Sequence, residues 1–211
     1  MERGRFITLE GGEGAGKSTQ VRRLASSLRG RGLEVVTTRE PGGSPGAEEI
    51  RTLLVTGDAG RWSPVTETLL HFAARRDHLE RTVWPALERG AWVISDRFAD
   101  STLAYQGYGL GLDKEVIVRL YANVVGNFYP DLTLILDLPA GAGLARAKAR
   151  SAADRYEDMD ISFHRRLCEG FLDIAAHDPR RCAIIDAAGT EDFVAAEILD
   201  LVGRRLPVPG S

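Results

Sequence analysis

The sequence predicts an α/β fold, a parallel sheet of five strands covered by helices on both faces, from three observations. Short apolar runs recur five times along the chain; helical periodicity fills the stretches between them; and a glycine loop, Gly11-Gly12-Glu13-Gly14-Ala15-Gly16-Lys17-Ser18, joins the first run to the first helical stripe. Strands that alternate with helices need crossover connections, and these lay parallel strands side by side with helices on each face.

Taken in order, the first strand is expected over residues 5–10, where Phe6-Ile7-Thr8-Leu9 reads as a buried run ending at Glu10. After the glycine loop, Val21, Leu24, Ala25 and Leu28 fall at i, i+3, i+4 and i+7, the stripe of a helix with one buried face. The second strand is expected over residues 34–38, ahead of Arg39, and a helix over residues 69–79. The third, fourth and fifth strands are expected at residues 92–96, 132–137 and 182–186, and Val194, Ile198, Leu201 and Val202 mark a closing helix. Ligands of such sheets collect at the carboxyl ends of the strands, where this chain places Glu10, Arg39, Asp96 and Asp186.

With 211 residues the chain is expected to form a single domain, residues 1–211, with an unstructured tail at 207–211. A net charge of -3 offers no broad basic field, which argues against a nucleic-acid partner. No apolar stretch approaches the ~20 residues that span a bilayer, so no membrane role is expected. Cys168 and Cys182 form neither a C-x-x-C pair nor a disulfide framework, and no signal-peptide core precedes them; a cytoplasmic location follows as the expectation. His71, His78 and the His164/Cys168 pair are too sparse for a structural metal site.

The glycine loop carries the chemistry. Residues 11–18 satisfy G-x-x-x-x-G-K-[ST], in which glycines let successive N–H groups converge on an anion at a helix N-terminus. Gly11, Gly12, Glu13, Gly14, Ala15, Gly16 and the following Thr19 would wrap the phosphates of a nucleoside triphosphate; Lys17 would reach the β- and γ-phosphates and Ser18 would hold Mg²⁺. The chain has 24 arginines and only 3 lysines, one of them at that loop position, where a point charge and not a planar fork is wanted. The absence of Asn-Lys-x-Asp or Thr-Lys-x-Asp removes the usual guanine-reading element.

Five further segments, in order, are Thr38-Arg39-Glu40-Pro41-Gly42-Gly43, Val93-Ile94-Ser95-Asp96-Arg97-Phe98, Ser101-Thr102-Leu103-Ala104-Tyr105-Gln106, Asp154-Arg155-Tyr156-Glu157 and Ile185-Asp186-Ala187. Together with the loop they resemble the bacterial thymidylate kinases, over residues 5 to about 200. The resemblance implies a P-loop nucleoside-monophosphate-kinase fold, transfer of the γ-phosphoryl group of ATP to dTMP with Mg²⁺, and a homodimer formed through helices that include residues 65–87. It implies that Arg39 and Arg97 hold the acceptor phosphate, with Arg97 and Lys17 also catalytic, and that Arg75 meets the thymine edge. Glu13 would lie near the deoxyribose 3′-hydroxyl, Asp96 would assist Mg²⁺, and Ser101, Thr102 and Gln106 would touch base or sugar. Tyr105 would crowd C2′ of the sugar against a ribose hydroxyl.

Gly14 and Ala15 stand where some family members carry a loop arginine, so positive charge is expected from a lid at residues 146–158. There Arg150 and Arg155 are the choices for the transferring phosphoryl group, and Arg146, with Asp186, for the adenine side. The position that stacks on thymine is usually Phe four residues before the Arg75 equivalent. Here it is His71, with Phe72 beside it, and both are kept as candidates. If His71 stacks, its protonation below about pH 6.5 should weaken dTMP binding. A kinase for another nucleotide or deoxynucleoside, and a non-catalytic nucleotide-binding module, remain the alternatives at this level.

Overall fold

The computed structural model describes residues 3–58, 60–149 and 155–206. Strands β1 (Phe6–Glu10), β2 (Val35–Arg39), β3 (Trp92–Asp96), β4 (Leu132–Asp137) and β5 (Cys182–Asp186) form one parallel sheet in the order β2-β3-β1-β4-β5. The helices are α1 (Lys17–Gly30), α2 (Pro45–Val55), α3 (Pro64–His78), α4 (Trp84–Glu88), α5 (Ala99–Thr102), α6 (Lys114–Val124), α7 (Ala140–Lys148), α8 (Ile161–His177) and α9 (Glu191–Arg205). Wider π-type turns at Leu79–Val83 and Leu103–Gly109 carry α3 into α4 and extend α5.

Burial on both faces explains the apolar strands. Every residue of β1 is buried, and its one central hydroxyl, Thr8, finds Thr133 Oγ1 across the β1–β4 register at 2.8 Å. A buried hydroxyl without such a partner would destabilise the sheet by about 1–3 kcal/mol. On one face Val21, Leu24, Ala25 and Leu28 of α1 and Val194, Ile198 and Val202 of α9 pack against Ile7, Leu9 and Leu134. On the other, Phe72, Leu79, Val83 and Ile117 pack against Phe6, Val93 and Phe98. A third cluster joins Tyr105 to Phe163, Leu167 and Phe171 of α8.

Helix starts follow the capping chemistry of the sequence. Ser63, Asp160 and Thr190 each accept a hydrogen bond from the backbone N–H three residues on, at Thr66, Phe163 and Phe193. Arg181, just before β5, donates to both oxygens of Asp100, at 2.5 and 3.1 Å, and to Thr133. That fork pins α5, which carries Ser101 and Thr102, to the sheet.

Candidate active site

The glycine loop between β1 and α1 takes the backbone its glycines permit, with φ of 132° at Gly11, 68° at Gly14 and 91° at Gly16. Gly14 has a second constraint: a Cβ there would lie 2.0 Å from Gly143 O, so the start of α7 packs directly on the loop. Lys17 folds back across the loop and donates from Nζ to Gly12 O at 2.7 Å and Gly11 O at 3.1 Å. Burial and the Arg97 charge lower it to about 8, against Glu13, Asp96 and Glu10, which raise it. Ser18 donates from Oγ to Asp96 Oδ2 at 2.5 Å, which puts a hydroxyl and a carboxylate side by side at the loop mouth. At the turn after β5, Arg146 donates to Ala187 O at 3.1 Å, and Asp186 accepts from the N–H of Ala188 at 2.9 Å.

Arg97 is the centre of the site. It is the one non-glycine residue with positive φ (71°) among the described residues, a conformation that costs about 1–3 kcal/mol and turns the side chain back over the loop. Its guanidinium donates to Gly11 O (3.0 Å) and Ser101 Oγ (3.1 Å) through Nη1, and to Glu13 Oε1 (2.9 Å) and Tyr105 Oη (2.8 Å) through Nη2. Tyr105 in turn donates to Glu13. Burial alone would raise the Glu13 carboxyl, but Arg97, Lys17 and the Tyr105 hydroxyl hold it at about 2. Beneath them Glu10 accepts from Phe98 N at 2.7 Å and Ser101 Oγ at 2.5 Å, and burial with the Asp100 charge pushes it up to about 8.

The other end of the cleft is built around Arg75 and Gln106. Arg75 lies between the rings of Phe72 and Phe98, 4.9 and 5.2 Å from their centroids. It donates from Nε to Glu40 Oε2 (2.8 Å) and from Nη2 to Thr102 Oγ1 (3.0 Å) and Phe98 O (3.2 Å). Glu40 is itself fixed by His78 Nδ1 at 2.9 Å, and His78 Nε2 by Thr38 Oγ1 at 2.7 Å. Gln106 turns its Nε2 to Glu67 Oε1 at 2.7 Å. Two polar atoms are left over here: Arg75 Nη1, a donor, and Gln106 Oε1, an acceptor, are buried with no partner among the described residues.

A cleft of about 350 Å³ runs between these ends, and it brings together Glu13, Gly14, Gly16, Lys17, Ser18, Arg39, His71, Arg75, Asp96, Arg97, Ser101, Thr102, Tyr105 and Gln106, all singled out from the sequence. Arg39 reaches it from the end of β2, paired at 2.9 Å with Glu48. Gly11, Gly12, Ala15 and Thr19 belong to the loop and the first turn of α1 beside the cleft, and Arg146 of α7 meets the turn after β5, where Asp186 stands. Two further candidates are buried away from the cleft wall. Phe72 is fully buried in the core under Arg75, because one residue along a helix rotates a side chain ~100° away, and His71 faces the cleft in its stead. Arg155 is buried 6% exposed in an ion pair with Glu67 and donates to Leu54 O at 2.5 Å, so its guanidinium serves that pair and not the cleft wall. Arg150, the lid residues 150–154 and the tail 207–211 lie outside the described residues. Burial, with Arg75, Arg155, Arg97 and Arg51 around it, lowers His71 to about 3, so the imidazole stays neutral across the pH range in which protonation was expected to matter.

Glu40, Arg51, Glu67 and Tyr156 are the residues that sequence reading passed over as parts of the site. Glu40, Arg51 and Tyr156 line the cleft, and Glu67 lies directly behind it. Glu40 and Tyr156 sat inside motifs already quoted, but nothing along the chain marks Glu67, whose partners are 39, 88 and 89 positions away.

A strand, glycine loop and helix with a lysine on the loop, a serine–carboxylate pair at its mouth and arginines converging on the same cleft define a P-loop phosphotransferase of the nucleoside-monophosphate-kinase fold. Comparison with known proteins narrows the class. The thymidylate kinase family profile matches residues 9–198. The chain is 58% identical to the thymidylate kinase of Caulobacter vibrioides over 98% of this chain and 99% of that one. It is 53% identical to that of Gluconobacter oxydans over 99% and 98%. The crystal structure of thymidylate kinase from Ehrlichia chaffeensis superposes with a TM-score of 0.77 at 37% identity, covering 95% of this chain and 99% of that one. The chain belongs to the thymidylate kinase family, and its activity is the family's, phosphorylation of dTMP to dTDP with ATP as the donor.

Proposed function

We propose that the cleft selects thymine by its N3–H/O4 edge, with Arg75 donating to O4 and Gln106 accepting from N3–H. The observation that carries this reading is the pair of buried, unpartnered atoms, Arg75 Nη1 and Gln106 Oε1, on two residues that line one cleft. One is a donor and the other an acceptor, as that edge requires, and burying them without a partner would cost about 1–3 kcal/mol each. Arg39 and Arg97 bind the acceptor phosphate, and Tyr105, held by Glu13 and Arg97, packs where a ribose 2′-hydroxyl would fall. Glu13 meets the sugar 3′-hydroxyl, while Ser101 and Thr102 contact the nucleotide from the end of α5. His71 packs against the thymine ring as a neutral imidazole.

The attacking phosphate oxygen needs no general base, since a phosphate monoester with a second pKa of ~6 is already a dianion at neutral pH. Catalysis rests on positioning and charge. Lys17 and the loop N–H groups hold the donor phosphates, with Arg146 and Asp186 on the adenine side, and Arg150 is the lid arginine assigned to the transferring group. The hard oxygen donors Ser18 and Asp96, 2.5 Å apart beside the loop, fit Mg²⁺, which when bound neutralises the β- and γ-phosphates.

Exposed Val65 and Leu69 on α3 support a homodimer through helices that include residues 65–87, for which a sedimentation experiment on Leu69→Glu is the test. One sheet takes in all five described strands, which supports reading the chain as one domain, and two free cysteines suit a cytoplasmic location. The decisive measurement is kcat/KM over a panel of nucleoside monophosphates, for the natural protein and for Arg75→Gln and Gln106→Leu. Both variants should raise KM for dTMP about tenfold or more. Unchanged values in both would refute the base-edge assignment.

A further inference from the structure

We propose that Glu67 is a specificity-determining positioning residue: its carboxylate fixes which way the Gln106 amide faces, and so makes the site demand a pyrimidine that carries a proton on N3. The inference rests on the base-edge reading of Gln106 given above. An amide side chain presents a donor or an acceptor to a ligand according to its orientation, and the two orientations have nearly the same shape. Only its hydrogen-bond partners distinguish them.

Around Gln106 those partners leave one solution. Glu67 is buried at 1% exposure, and its Oε1 accepts from Gln106 Nε2 at 2.7 Å and from the Tyr156 hydroxyl at 2.6 Å. Its Oε2 accepts from Arg155 Nη2. The Tyr156 proton is committed to Glu67, so that oxygen accepts, from Arg155 Nη2 at 3.1 Å and from Gln106 Nε2 at 3.4 Å. Turning the amide over would set its oxygen against a carboxylate oxygen and a phenolic oxygen with no proton left to share, in a buried place. The carboxylate therefore holds the amide nitrogen inward and leaves Oε1 for the ligand.

That choice reads the pyrimidine. Thymine offers N3–H to an acceptor; cytosine offers a bare N3, which repels one. Arg75 adds a second check, because its free N–H suits O4 and not an amino group. Glu67 also receives Arg155 and Tyr156, which lie within residues 146–158, the segment expected to form the lid. Base recognition and the lid base thus share one anion.

The test uses dTMP and 5-methyl-dCMP, which have the same outline and opposite hydrogen-bonding edges. In Glu67→Gln the new amide can donate to Gln106 Oε1, so the Gln106 amide is free to present either group. The ratio of kcat/KM for dTMP over 5-methyl-dCMP should fall by about 10- to 100-fold, the range expected when one buried hydrogen bond loses its polarity. Tyr156→Phe removes a different partner of Glu67, keeps the contact with Gln106, and should hold the ratio within about threefold of the natural protein. Because Glu67→Gln leaves Arg155 buried without its counter-ion, the double variant Glu67→Gln/Arg155→Met is measured alongside it and should show the same fall. A natural-sized ratio in either folded variant, by circular dichroism, would assign Glu67 a purely structural role and overturn the proposal. Gln106→Leu separates the two levels. If it collapses the ratio while Glu67→Gln does not, only the role of Glu67 is lost; if it leaves the ratio intact, the base-edge reading falls and this inference with it.

Discussion

Replacing Glu13 by Gln removes a charge and almost no volume, and the structure sets both the size of the effect and its pH window. The carboxylate is 13% exposed, pairs with Arg97 at 2.9 Å and accepts from Tyr105. Its folded-state value of about 2 lies below the ordinary 4.5, so the ionised group favours the folded state above the unfolded value and the benefit is lost as pH falls through the folded one. At about 1.4 kcal/mol per pKa unit, this amounts to roughly 3 kcal/mol at pH 7 and roughly 1 kcal/mol at pH 3. Urea unfolding of the natural protein and of Glu13→Gln, run side by side from pH 7 to pH 3, should show a stability gap that narrows by about 2 kcal/mol. Titration of other groups, Glu10 at about 8 among them, enters both proteins and drops out of the difference. A gap of the same size at both ends would refute the reasoning, since it would mean that Glu13 contributes through packing and not through its charge.

Lys17 should behave in the opposite sense. Its value is lowered from 10.5 to about 8, so the unfolded chain holds the proton more tightly, and the natural protein should gain a little over 1 kcal/mol relative to Lys17→Met between pH 7 and pH 9; equal shifts in both melting curves would count against this. ATP binding near pH 8 should draw in a fraction of a proton, visible by calorimetry in buffers of different ionisation enthalpy, and Lys17→Met should bind ATP far more weakly with its secondary structure unchanged. His71, lowered to about 3, stays neutral, so the KM for dTMP should follow the same pH profile from 7.5 to 5.5 in the natural protein and in His71→Phe; curves that part below pH 6.5 would mean that the imidazole titrates after all.

Much of this molecule is written in local pattern, and what is not depends on distance along the chain. Boundaries of the central strands β1, β3 and β4 came within one residue because a strand buried on both faces must be apolar almost throughout, and that is a property of five or six adjacent residues. The edge strands β2 and β5 are partly exposed, and their ends came within one residue without that constraint. The loop and its lysine were legible for a similar reason, since a backbone anion nest is made by consecutive residues. His71 and Phe72 could not be ordered from sequence, because the choice depends on the azimuth of α3 against the sheet, which the packing of Phe72 under Arg75 decides. Arg155 shows the limit most clearly. In sequence it belongs to a basic run and reads as a free cation, but folding gives it Glu67, 88 positions away, as a buried counter-ion.

The pairings also bear on how two anionic substrates share one cleft. Arg97 and Arg75 are already held by carboxylates, Glu13 and Glu40, and are largely buried with them. A buried arginine whose counter-ion is fixed keeps its place with or without substrate, so under the proposed assignment the Arg97 side chain need not be brought into position when an acceptor phosphate arrives beside it. Arg39 differs. Its pair with Glu48 is exposed, at 55% and 40% for the two side chains, and surface pairs of that kind contribute only about 0–1 kcal/mol. On the proposed assignment, Arg39 is therefore the cation that can leave its partner for the phosphate at little cost, while Arg97 stays where its own pair holds it. The prediction that follows is a division of labour. Glu48→Gln, which frees Arg39, should leave the KM for dTMP unchanged or up to about threefold lower, whereas Glu13→Gln, which loosens Arg97, should raise it; a marked rise in KM from Glu48→Gln would show that Glu48 positions Arg39 and does not compete for it.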